Sequence, residues 1–203
     1  MVAADPPPAD PIALNRRVRA LLRDLDLVAP GEREHAERTA VYAVTTGNAL
    51  GLGREELRSL RYAALLHDVG KVRLDRATLR KLGTLTDDEL AEMRRHAEAA
   101  VAVLEGIPEL ASALPGIRAH HERFDGTGYP HGLRGEEIPL AARIVGMCES
   151  FDVMSYGTPY SPRLETAAAL LTIRAGTRTQ WCPRVLEAFL TVQPLIQPLG
   201  LQS

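Results

Sequence analysis

Aromatic residues are scarce, at 4% of 203 residues. A core without them must rest on Leu, Ala, Val and Ile, within an apolar fraction of 45%. Ala and Leu are strong helix formers and β-branched runs are few, so the balance favours helices. Cysteine is nearly absent. Cys148 and Cys182 form no CxxC pair, which argues against a disulfide framework and fits a reducing cytoplasm. No run approaches the roughly 18 apolar residues of a membrane span. The net charge of −2 provides no broad basic field, which argues against a nucleic-acid polymer or a membrane surface as partner. An anionic substrate would need a local positive feature, such as bound metal. Residues 1–11 hold Pro6, Pro7, Pro8 and Pro11 without a basic stretch leading an apolar one. They read as a stiff, flexible-jointed solvated tail, not a signal peptide.

No internal repeat is present. Apolar residues at Leu14, Val18, Leu21, Leu22 and Leu25 share one helical face, predicting a helix over Ile12–Val28 that Pro30 and Gly31 end. Further helices are expected at about Arg33–Ala49, Arg54–His67, Thr86–Leu104 and Leu110–His120. Thr86 with Glu89 forms a capping-box pattern. Between Glu122 and Pro139 the glycines and Pro130 leave little room for helix, and so long a loop in a compact domain is often functional. Helices resume at Leu140–Met154, Leu164–Ala175 and Pro183–Leu190, the last with proline at a favoured first position. The expected fold is all-α with one glycine-rich loop: tail 1–11, N-terminal helix 12–30, main domain 31–192 and C-terminal tail 193–203.

The histidines are His35, His67, His96, His120, His121 and His131. A single helical histidine is usually a surface residue or a hydrogen-bonded core residue. A His67-Asp68 pair behind the apolar run 63–66, an adjacent His120-His121 pair and two further helical histidines have a joint use. Neutral imidazoles and carboxylates are good ligands for divalent first-row metals. Composition alone leaves a metal site and a set of unrelated histidines both open.

The segment His67-Asp68-Val69-Gly70-Lys71 resembles the HD superfamily signature, and residues 120–130, HHERFDGTGYP, closely resemble the HD-GYP segment HHE-x-x-DG-x-GYP. The chain is identified on these motifs as similar to the HD-GYP family over roughly Arg33 to Leu190. The resemblance implies an HD-domain helical bundle with a GYP loop. It implies two divalent metal ions, iron or manganese, and hydrolysis of cyclic di-GMP to linear pGpG and onward to GMP by a metal-activated hydroxide. Carried over by position, one metal takes His35, His67, Asp68 and Glu149, and the second takes Asp68 as a bridge with His96, His120 and His121. Asp68 and Lys71 are the implied catalytic residues. Lys71, Tyr129, Gly128 and Pro130 are implied at the substrate, and a GGDEF-domain protein is a candidate partner through the GYP loop. Asp152 is a reserve ligand; Arg163 and His131 are reserve substrate contacts. Oligomeric state stays open.

The chain departs from the pattern in four places. Glu149 stands where the family has Asp, one methylene longer. Gly31 stands where a Glu often completes a third metal site; Glu32 and Glu34 are out of register and read as solvated helix-start charges, so two ions are expected. Thr158 and Ser161 replace two basic residues, and Arg163 is close but displaced. Losing two charge-assisted contacts would weaken a doubly charged ligand by about a hundredfold. Cys182-Pro183 replaces an Asp-Pro pair and reads as packing. These losses motivate two alternatives: a degenerate member that binds a nucleotide or protein without turnover, and a phosphohydrolase on another cyclic nucleotide.

Overall fold

The computed structural model describes residues 11–81, 83–157 and 162–196. It is helical throughout, and among the described residues the sole extended pairing is an isolated bridge between Thr177 and Trp181. Helix α1 spans Pro11–Val28, α2 Glu32–Ala49 and α3 Arg54–Leu66. A 3-10 turn, Val69–Arg73, and two short helices, α4 (Arg76–Arg80) and α5 (Asp87–Arg94), lead to α6 (His96–Leu104) and α7 (Leu114–Arg118). After the glycine-rich loop come α8 (Leu140–Tyr156), α9 (Thr166–Ala175) and α10 (Pro183–Val192). None of the described helices is long and apolar enough to cross a membrane.

The core is aliphatic, as the composition requires. Ala36, Ala40 and Ala43 of α2, Leu60 and residues 63–66 of α3, and Ile144 to Met147 of α8 are buried together. Three of the nine aromatics form one knot: Tyr42, Phe151 and Phe189 meet edge-on, with ring centroids 5.0 to 6.2 Å apart. Edge-to-face contact suits the ring quadrupoles and joins α2, α8 and α10.

Three expected helices are altered, two of them for a local reason. The segment expected as one helix over Thr86–Leu104 breaks at Arg95. Its N-terminal capping box is formed, with Thr86 N–H donating to Glu89 at 2.7 Å and Glu89 N–H to the Thr86 hydroxyl at 3.3 Å. At the break the Met93 carbonyl accepts from the His96 ring at 2.7 Å, which competes with the regular ladder. Leu110–His120 is instead a 3-10 turn, Pro108–Ala113, followed by α7. Pro115, which lacks an N–H, lies at that change. Helix α9 begins at Thr166 rather than Leu164.

Two close approaches depend on glycine. A Cβ on Gly70 would collide with the His96 carbonyl oxygen and the Ala100 amide nitrogen, so Gly70 lets α6 lie directly on the 3-10 turn. A Cβ on Gly146 would collide with the His120 carbonyl oxygen, so Gly146 lets α8 close on the end of α7. Both contacts are backbone against backbone and cannot relax by turning a side chain. Gly70→Ala should therefore cost about 1–3 kcal/mol, the usual range for overpacking. Urea unfolding of the metal-free protein measures it. A variant as stable as the wild type would show that α6 does not need this contact.

Candidate metal centre

Asp68 stands at the end of α3, where the helix tightens into the 3-10 turn. Around it the fold gathers histidines from four elements. His67 closes α3, His96 opens α6, His120 and His121 follow α7, and His35 comes from the first turn of α2. Three of these rings are oriented by one device. His67 Nδ1 contacts the Ala64 carbonyl at 2.7 Å, His96 Nδ1 the Met93 carbonyl at 2.7 Å, and His120 Nδ1 the Ile117 carbonyl at 2.6 Å. A carbonyl only accepts, so each Nδ1 carries a hydrogen, and in the neutral ring Nε2 is left as a lone pair.

Those lone pairs converge. The Nε2 atoms of His96 and His120 are 3.3 Å apart, and those of His121 and His96 are 3.1 Å apart. Asp68 Oδ1 is 3.1 Å from His96 Nε2, and Asp68 Oδ2 is 3.2 Å from His67 Nε2. His67 Nε2, Asp68 Oδ1 and Glu149 Oε2 are buried without a hydrogen-bond partner. Buried acceptors facing acceptors are costly unless a cation lies among them. Three overlapping sets have ligand atoms within 4.8 Å of one another: Asp68, His96, His120 and His121; His35, His67 and Asp68; His67, His120 and Glu149. Nitrogen and carboxylate donors in this number fit divalent first-row cations. All seven residues named from the sequence as ligands are thus brought to one place.

Asp152 lies outside the three sets. Its carboxylate accepts from His35 Nδ1 at 2.7 Å and from Arg38 Nε and Nη2 at 2.7 and 2.8 Å. Both oxygens are occupied, and the side chain is 1% exposed. It turns the His35 ring so that Nε2 points away from it, the arrangement by which carboxylates commonly orient ligand histidines. Arg38 makes the structural salt bridge expected of it and lies 3.8 Å over the Tyr156 ring.

Glu32 is the residue that sequence reasoning placed wrongly. It is not a solvated charge. Its Oε1 accepts from Lys71 Nζ at 2.7 Å, and Lys71 also meets Asp68 Oδ2 at 2.8 Å. Gly31 explains the shift: its φ of 94° is the left-handed conformation that a turn into α2 demands there. The carboxylate therefore comes one residue later. Glu34 is exposed and paired with Arg33, as a helix-start charge would be.

A cavity of about 510 Å3 opens on this cluster, walled by Glu32, His35, Lys71, Glu149 and Arg163 among others. Tyr129 stacks on His121 with ring centroids 4.8 Å apart. Gly128 is packed against the backbone of residues 121–123, where a Cβ would collide, and Pro130 follows it in the same turn. His131 is remote from the ligand sets: its ring meets Glu98 at 3.3 Å and is half exposed. Glu122 orders the loop by accepting from the backbone N–H groups of His131 and Leu133 at 2.7 and 3.1 Å. Thr158 and Ser161 lie outside the described residues.

The charge states suit cation binding. Burial opposes ionisation of Asp68, but Lys71 and His67 hold its carboxyl well below the usual range. Burial keeps His96 and His120 below the ordinary imidazole value and, with His96 alongside, holds His121 down to about 3. Burial pushes the Glu149 carboxyl up to about 7. Burial also opposes charge on His67, yet Asp68 outweighs it and lifts the ring to about 9. Without a cation, a proton on His67 answers the Asp68 charge. Metal must displace that proton and any proton on Glu149, so protons compete below each of these values. Manganese affinity should therefore rise between pH 6 and pH 8.5, by about tenfold per pH unit for each proton displaced. Calorimetry in two buffers of different ionisation enthalpy reads the affinity and the protons released. A flat profile without proton release would remove His67 and Glu149 from the site.

The chain matches a known family and has named relatives. The model of the HD domain family matches residues 19–185. The chain is 38% identical over 173 residues to the cyclic di-GMP phosphodiesterase response regulator RpfG of Xanthomonas campestris pv. campestris, covering 84% of this chain and 46% of that protein. It is 33% identical over 181 residues to 3'3'-cGAMP-specific phosphodiesterase 3 of Vibrio cholerae, covering 89% of this chain and 39% of that one. The chain thus spans less than half the length of these curated relatives. The crystal structure of a cyclic GMP-AMP-specific phosphodiesterase of V. cholerae superposes with a TM-score of 0.69 at 22% identity, over 89% of this chain and 49% of the other, a likeness of fold alone. With the HD and HH…GYP segments meeting at one buried carboxylate, the chain belongs to the HD domain family, in its HD-GYP form.

Proposed function

We propose that the chain is a metal-dependent cyclic dinucleotide phosphodiesterase, with cyclic di-GMP as substrate and linear pGpG, then GMP, as products. The observation that carries this reading is the convergence of imidazole lone pairs on Asp68. His35, His67, Asp68 and Glu149 would hold one divalent ion, and Asp68, His96, His120 and His121 the other, iron or manganese in both. Bound divalent cations supply a low pKa for coordinated water and offset charge on a phosphoryl group.

The chain's own residues do the rest. Asp68 and Glu149 contribute two negative charges against two divalent cations, so the loaded pocket is electropositive inside a protein of net charge −2. That supplies the local attraction for an anionic diester which the overall charge lacks. Lys71 has three N–H donors, and Asp68 and Glu32 take two of them. The third is available to a phosphoryl oxygen. Arg163, exposed at the cavity wall, adds a cation on the same side. Tyr129 covers His121 and limits water on its face of the cluster. The exposed stretch of the loop around His131 and Gly132 is the surface on which a GGDEF-domain partner would dock. Residues 31–192 are proposed as the catalytic unit.

Cyclic GMP-AMP is the second candidate substrate, because one 33% identical relative is named for that specificity. The decisive assay uses protein purified without oxygen and loaded with manganese or iron. Each cyclic dinucleotide is followed by chromatography. His67→Ala should leave below about 1% of turnover and bind less manganese per chain. Asp152→Asn frees the His35 ring and should weaken metal binding by about 10–100-fold, with activity returning at high manganese. A His67→Ala protein that retains full turnover would end the proposal.

A further inference from the structure

Bordered by Tyr129 lies a second and larger groove of about 790 Å3, within the range of small-ligand sites. Its polar wall carries Arg73, Arg94 and Arg95, and its floor is small and apolar, with Ala99, Ala102 and Pro130. Arg95 is paired with Glu92 at 2.8 Å. Glu98, also on the wall, is taken by Arg118 and His131, each at 3.3 Å. Among the described residues, no carboxylate lies within ion-pair distance of Arg73 or Arg94. Two uncompensated guanidinium groups thus face one groove in a protein whose net charge is −2.

Tyr129 is the wall shared by this groove and the metal centre. One ring face stacks on His121, and the Arg94 guanidinium lies 5.3 Å from the ring centroid. A ligand with two phosphates in one ring can place one phosphate at the metal cluster only if its other half lies to one side. Guanidinium groups recognise phosphate by bidentate hydrogen bonds and stack on planar rings, and an apolar floor suits a base.

We infer that the Arg73–Arg94 groove beside Tyr129 is the subsite for the second nucleotide unit of a cyclic dinucleotide, with Arg94 the specificity-determining cation on its distal phosphate or base. The inference rests on the phosphodiesterase reading for its substrate class. Arg94 acts in binding, so its effect falls on KM and on equilibrium affinity more than on kcat.

The test uses the manganese-loaded full chain with cyclic di-GMP and cyclic GMP-AMP. Turnover and calorimetric binding are both measured, for the wild type, Arg94→Gln, Arg73→Gln and, as a control, Arg58→Gln on the exposed face of α3. Arg94→Gln should raise KM and the dissociation constant by about tenfold or more, as loss of one charge-assisted contact predicts. Its kcat should change less than its KM. Arg73→Gln should weaken binding in the same direction, and the Arg58→Gln control should match the wild type. Arg94 is exposed, and equal thermal midpoints would confirm that folding is intact. Wild-type turnover with Arg94→Gln constants within twofold of it would overturn the groove and leave the phosphodiesterase reading standing. Binding without turnover, weakened by Arg94→Gln, would overturn the activity and keep the groove. A wild type that neither binds nor hydrolyses either dinucleotide would overturn both.

Discussion

The backbone carbonyls of Ala64, Met93 and Ile117 accept hydrogens from His67, His96 and His120, each from three residues further along the chain. Everything at the centre depends on that repeated bond. It fixes the tautomer, and a fixed tautomer turns three Nε2 lone pairs inward onto one buried carboxylate. In solution such an assembly of acceptors would scatter. Here each ring is held by its own helix end, so the mutual repulsion is borne by the fold and relieved by a cation.

The packing serves the same end. Gly70 and Gly146 let backbone approach backbone at two points around the cluster, bringing His96 and His120 within reach of Asp68 and Glu149. The aromatic knot of Tyr42, Phe151 and Phe189 ties α2 to α8 and α10, and so keeps His35 opposite Asp152. Tight interiors transmit small displacements, so the spacing of ligand atoms is set by contacts well outside the cluster.

Electrostatics divides the surface into roles. Asp68 is surrounded by Lys71 and imidazoles, Lys71 is divided between Asp68 and Glu32, and Asp152 is matched by Arg38. These pairs compensate one another within the protein and leave little net field of their own. Outside these pairs, the cavity at the Asp68 cluster and the groove beside Tyr129 each carry arginines that no carboxylate of the described residues pairs: Arg163 in the first, Arg73 and Arg94 in the second. The protein as a whole stays slightly anionic.

The sequence by itself determined the helical class and put the candidate ligands on helices and helix ends. Apolar spacing, the Thr86–Glu89 cap and the HD and HH…GYP motifs are local, and local patterns survive in a linear text. It also placed Asp68 and the histidines in one proposal, because motif register carries that information. Only the tertiary structure decided that Asp152 uses both oxygens to hold His35 and Arg38, since a partner 114 or more residues away leaves no local trace. Only it decided that Glu32, displaced one residue by the left-handed turn at Gly31, reaches Lys71. It alone showed the break at Arg95 and the pairing pattern that leaves Arg73 and Arg94 uncompensated. Charge balance is a property of neighbours in space, and the chain folds far from its order in sequence before those neighbours meet.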